Sequence, residues 1–291
     1  MIMKYKIKTT QRVLPAFSLL AALLLSAFPA GVNGALSQLA RLTDGNGGFN
    51  RLGGARDVFL KGSVAYVTSF TEHALSVIDI SDPASPQLLA EIVDGQGGFN
   101  RLQNAEKVFV SGTTAYVTAS TDAALTIVDV SNPSSPTLLK EVVDGLGGFN
   151  RLDGADSVFV TNNIAYVASD HEDALSVINV SNPANPTLIV ELTDGSGNFN
   201  RLDGANSVFV SGSTAFVAAR NDNAVSIIDV SDPGNPLLLS ELVDGVGGFN
   251  QLGGARDVFV NGTVAYVVSD VDSALSLIDI TDLSNPRLIK R

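Results

Sequence analysis

The chain has 291 residues, 18 Lys and Arg against 30 Asp and Glu for a formal net charge of −12, 45% hydrophobic residues, no Cys and no Trp. This apolar fraction without long charge runs describes a folded protein, and the acidic balance excludes nucleic acid, whose phosphates need a basic patch. The lack of Cys excludes disulfides, thiolate metal sites and a Cys nucleophile, and two histidines, His73 and His171, are too few for an imidazole-rich metal centre.

In chain order, Lys4, Lys6, Lys8 and Arg12 precede an apolar stretch from Leu14 to Phe28, bounded by Pro15 and Pro29 and followed by small and polar residues. Basic, apolar and small segments in that order read as a secretory signal peptide over residues 1–34. Val32 and Gly34 meet the small-residue rule for cleavage after Gly34. The apolar core is shorter than the roughly 20 residues of a membrane span, so no stable membrane insertion is expected after cleavage. Removing the segment leaves 14 basic against 30 acidic residues, a net charge of −16. The expected location is secreted, periplasmic or at the cell surface.

From residue 35 onward a fifty-residue period organises the sequence. Phe-Asn recurs at Phe49-Asn50, Phe99-Asn100, Phe149-Asn150, Phe199-Asn200 and Phe249-Asn250 with no insertion. The units run over 44–93, 94–143, 144–193, 194–243 and 244–291. Each predicts four strands, in the first unit Val58 to Leu60, Val64 to Ser69, Leu75 to Ile80 and Gln87 to Val93, rich in β-branched and aromatic residues. Lys61-Gly62 and Ser81-Asp82-Pro83 with Pro86 supply the turns. Four strands per tandem unit is the pattern of a propeller blade. The sequence therefore predicts an all-β, five-bladed β-propeller of four-stranded blades. Residues 36–43 align with the fourth strand, Ala40 with Ala90 and Leu42 with Ile92, and are expected to close the ring by completing the last blade, whose own fourth strand, Arg287 to Arg291, is short.

The third strands LSVIDIS, LTIVDVS, LSVINVS, VSIIDVS and LSLIDIT, each followed by DPASP, NPSSP, NPANP, DPGNP or DLSNP, resemble the LVIVD repeat family, as does the preceding AYV or AFV. The resemblance covers all five units and implies a β-propeller in an exported or surface protein. The additional DGxGGFNRL segment is a departure from that family's pattern.

The loop before strand one and the loop between strands two and three fall on one face, where ligands are expected on a rigid scaffold. In the repeated loop, Gly45, Gly47 and Gly48 permit positive φ, Phe49 fills the gap between blades, Asn50 caps a turn and Arg51 pairs with a neighbouring acid. The functional alternative is a ligand-binding ring of Asn50, Arg51, Asn100, Arg101, Asn150, Arg151, Asn200, Arg201, Asn250 and Gln251, whose guanidinium groups suit carboxylate or sulfate. The second loops are acidic, and Asp170, Glu172, Asp173, Asp270 and Asp272 are weak candidates for Ca²⁺, without the ligand spacing of a known calcium loop. Neither GxSxG nor HExxH occurs, and near-equivalent loops do not give the asymmetric constellation that catalysis needs. The sequence thus reads as a secreted, monomeric, non-enzymatic binding or adhesion module for an extracellular glycan or protein ligand, multivalent through equal loops and without a cofactor. A protein–protein scaffold and a carbohydrate-active enzyme with an acidic top-face site are the alternatives.

Overall fold

The computed structural model describes residues 38–290, so the expected signal peptide lies outside the described residues. The first blade is formed by β1 (Ala55–Lys61), β2 (Val64–Ser69), β3 (Ala74–Asp79) and β4 (Gln87–Val93). The second has β5 (Ala105–Ser111), β6 (Thr114–Ala119), β7 (Ala124–Asp129) and β8 (Thr137–Val143), and the third β9 (Ala155–Thr161), β10 (Ile164–Ser169), β11 (Ala174–Asn179) and β12 (Thr187–Thr193). The fourth has β13 (Ala205–Ser211), β14 (Thr214–Ala219), β15 (Ala224–Asp229) and β16 (Leu237–Val243), and the fifth β17 (Ala255–Asn261), β18 (Val264–Ser269), β19 (Ala274–Asp279) and β20 (Arg287–Lys290). Each set is an antiparallel meander in chain order, the five-bladed all-β architecture that the repeats predict.

The turns follow from their residues. Gly62, with φ of +57°, makes the tight link between the first two strands. Asp79 and Asp82 accept from the backbone N–H groups of Ser81 and Ala84 at 2.8 and 3.0 Å, fixing the proline-containing turn. The third strands have all but their last residue buried in blades one to four, and they form the centre of each sheet.

Hydrophobic cores form between blades. Tyr66, Leu75, Val77 and Ile92 of blade one pack with Phe99, Leu102, Ala105, Val108 and Val110 of the next unit, and equivalent clusters join blades two to three, three to four and four to five. Phe99 thus fills the gap between two blades, as the repeat implies. Along the axis Phe59, Phe109, Phe159, Phe209 and Phe259 form a chain of rings with successive centroids 4.9, 4.8, 4.9 and 5.0 Å apart.

The fifth junction differs. Among the described residues no hydrogen bond, ion pair, core cluster or aromatic contact joins blade five to blade one. Val58 and Leu60 are 38% and 45% exposed where Val108 and Val110 are 2% and 5%, and Leu275 is 53% exposed where Leu125 is fully buried. Closure by the N-terminal strand is not shown: residues 38–43 form no ladder, and 36 and 37 lie outside the described residues. The segment packs instead against blade one, where Leu42 joins Phe49, Ala65 and Ile78, an apolar contact that needs no strand pairing. Among the described residues, β19 has strand-four partners for Leu277, Ile278 and Asp279 only.

Candidate functional site at the axial mouth

The residue after the first alanine of each innermost strand is skipped in the register. The pairing shifts between Ala55 and Asp57, Ala105 and Val108, Ala168 and Ser169 opposite β9, Ala205 and Ser207, and Ala255 and Asp257. A bulge bends the strand and re-aims the side chain it leaves unpaired. The bulges bring Arg56, Glu106, Asp156, Asn206 and Arg256, one from each blade, to the axial mouth on the loop face. The sequence predicts the first strand to start later, at Val58, because Arg, Asp, Glu and Asn are poor strand residues. The ladder nevertheless holds them.

These residues interact around the axis. Arg56 Nε donates to Glu106 Oε2 at 2.6 Å, and its guanidinium lies 5.0 Å from the centre of the Phe70 ring. Asn206 donates to Asp156, and Ser120 Oγ donates to Glu106 Oε1 at 3.1 Å. Burial, with Glu106 and Asp170 nearby, pushes the Asp156 carboxyl up to about 8 despite the opposing pull of Arg256 and Arg56. Burial also raises Glu106 against the same two guanidinium groups. Asp156 therefore carries its proton at neutral pH. Asp170 Oδ1 is buried without a hydrogen-bond partner among the described residues. Beneath the mouth, a cavity of about 80 Å³ is lined by Asp57, Lys107, Ser207 and Asp257 with the Phe rings. Lys107 Nζ reaches Asp257 Oδ1 at 3.5 Å; burial pulls its pKa down, but Asp257, Asp57 and Asp156 outweigh that and hold it above the ordinary value.

The Asn and Arg ring expected from the sequence is engaged within the protein. Arg51 pairs with Glu72 at 2.8 Å, Arg101 with Asp122 at 3.7 Å and Arg201 with Asp222 at 3.4 Å, and Arg151 pairs with Glu172. Each acid stands on the second loop of the same blade. The backbone N–H groups of Asn50, Asn100, Asn150 and Asn200 donate to Glu91, Glu141, Glu191 and Glu241, and their side-chain amides donate to Gly48, Gly98, Gly148 and Asn198 carbonyls. Gln251 is exposed, as is Asn250, and the Gln251 carbonyl accepts from Ser276 Oγ at 3.1 Å. These contacts fit the packing role of the loop.

The calcium candidates are likewise dispersed among protein donors. Glu172 holds Arg151, Asp173 accepts from Gly204 N at 2.9 Å, Asp270 accepts from Arg220 Nε at 3.0 Å and Asp272 from Gly253 N at 2.7 Å. Asp170 Oδ1 lies 3.5 Å from His171 Nε2. Among the described residues no three or more acids or imidazoles gather as a metal site. Sequence reading missed the bulge residues because likeness between units draws attention to what repeats. Their signal is a varied polar column, Arg, Glu, Asp, Asn, Arg, between a constant Ala and a constant Val-Phe two residues on.

The LVIVD repeat model matches residues 52–94, 103–144, 154–194, 204–243 and 252–291. No curated protein sequence matches. Among solved structures, a protein from Lactobacillus plantarum is similar with a TM-score of 0.67 at 13% identity, over 81% of this chain and 70% of that one. The periplasmic gluconolactonase of Pseudomonas aeruginosa gives 0.61 at 13%, over 80% and 67%. A computationally designed protein gives 0.54 at 11%, over 77% of this chain, which spans 57% of that protein's length. At these identities the likeness is one of fold.

Proposed function

This chain belongs to the LVIVD repeat family, and on that premise we propose that it is an exported, non-enzymatic binding module that takes one extracellular ligand, a glycan or a surface protein group, at the axial mouth. The observation behind this reading is the set of five bulge residues. The scaffold repeats and the rim does not, so one asymmetric site, rather than five equal ones, is the arrangement that the side chains offer. The engaged loop arginines remove the main support for equal sites around the ring. Calorimetric titration of glycans chosen from an array tests the reading. A stoichiometry near one, with binding abolished by Asn206→Ala, is expected. A stoichiometry near five, or binding indifferent to that change, overturns it.

One observation favours a second reading, a carbohydrate-active enzyme. Asp156 keeps its proton to about pH 8 beside Glu106, which suits a general acid facing a second carboxylate. In that case Asp156→Asn abolishes glycoside turnover and leaves ligand affinity within about twofold.

A further inference from the structure

We propose that the axial mouth recognises an acidic, hydroxylated ligand of the uronic-acid class, with Arg256 and Arg56 holding its carboxylate; this rests on the mouth being the binding site. Arg256 is half-buried at the rim and has no hydrogen-bond or ion-pair partner among the described residues. Arg56 commits Nε to Glu106 and one face to Phe70, which leaves its terminal N–H groups to bind. Asp57 of blade one and Asp257 of blade five line the same axial cavity, which places their chain neighbours Arg56 and Arg256 at the same end of the axis.

The blade junctions add a reason. Bulge residues meet at two junctions, Arg56 with Glu106 and Asp156 with Asn206. At the fifth junction the two bulge residues, Arg256 and Arg56, carry like charge. An anion between two guanidinium groups resolves that repulsion, and a carboxylate matches their planar forks. Glu106 and Asp170 beside the site limit the charge that it accepts, which favours a singly charged carboxylate over a phosphate dianion. Protonated Asp156 donates to a ligand oxygen, and the Asn206 amide beside it is a further hydrogen-bonding group for a hydroxyl. Acid and hydroxyl groups on one small molecule describe a sugar acid.

The test compares D-glucuronate with D-glucose by calorimetry or NMR titration on the intact chain. Glucuronate is expected to bind one to one and glucose at least tenfold more weakly. Arg256→Met is expected to reduce glucuronate affinity at least tenfold, and Arg201→Met, which removes a loop arginine, to leave it unchanged. Arg256 has no hydrogen-bond or ion-pair partner among the described residues, so its removal is not expected to lower the melting temperature. Above pH 8 Asp156 loses its proton among Glu106, Asp170, Asn206, Arg56 and Arg256, with His171 next to Asp170, and affinity falls; Asp156→Asn flattens that profile. Equal binding of the two sugars, no binding of glucuronate, or unchanged affinity in Arg256→Met overturns the proposal. A neutral glycan that binds one to one and is lost on Asn206→Ala overturns the acid preference alone and leaves the mouth as the site.

Discussion

Four of the blade junctions and the fifth contain the same kinds of residue in different states. Between blades one and two, Thr68 Oγ1 donates to the Glu106 carbonyl at 2.7 Å, Val108 N donates to Asp57 Oδ2 at 3.1 Å, and Asn104 N donates to His73 Nδ1 at 3.0 Å, all beside a shared apolar core. Between blades five and one Val58, Leu60 and Leu275, whose counterparts are buried elsewhere, remain exposed. A repeat therefore does not carry its stability by itself; the energy resides in the contact between consecutive units. Chain continuity matters as well, since each made junction is spanned by a DGxG loop whose following Phe packs into it.

The largest expected effect separates two identical deletions. Leu125→Ala at a made junction is expected to cost about 4 kcal/mol, and Leu275→Ala at the open one less than about 1 kcal/mol, measured by denaturant unfolding. Equal losses would show that Leu275 is covered in solution.

The next tests a junction where two acids meet. The native state keeps the Asp156 proton up to about pH 8, whereas the unfolded chain releases it near 4, so stability falls as pH rises across that window. Asp156→Asn is expected to remove this slope and to raise stability at pH 8 on the order of 5 kcal/mol, with little change at pH 4. A pH profile identical to that of the parent chain would place the carboxyl in water.

The smallest effect comes from filling a gap in the pattern. His73, Asp173 and Asn223 each accept from an N–H on the next blade, at Asn104, Gly204 and Gly254, but Ala123 offers Gly154 N no acceptor. Ala123 also has a φ of +51°, which Asn tolerates better than Ala. Ala123→Asn is expected to add about 1 kcal/mol, which calorimetry would record as a melting point higher by about 2–4 °C. An unchanged or lower melting point removes the cross-blade acceptor from the account.

The fold was legible because period, turns and strand composition agree in all five units, and the second strand was placed to the residue. Closure was only partly legible. The alignment of Leu42 with Ile92 suggested a closing strand, yet a hydrophobic match does not specify hydrogen-bond pairing: Leu42 packs with Phe49, Ala65 and Ile78, and residues 38–43 form no ladder. The site was not legible, for a physical reason. Bulges are set by how a strand meets its neighbour, and nothing local in Ala-Arg-Asp or Ala-Glu-Lys announces one. The arginines of the repeated loop stood out by recurrence, and the geometry gives them acids of their own blades.

The bulge has a consequence for how such a molecule changes over time. A residue outside the ladder can be exchanged without re-registering the strand or disturbing the faces that pack between blades. Each unit thus contributes one editable letter to a five-letter word written around the axis. Substitution alters a letter, and duplication or loss of a unit alters the word's length while every joint keeps its form. Copying maintains the scaffold, and recognition evolves at five positions.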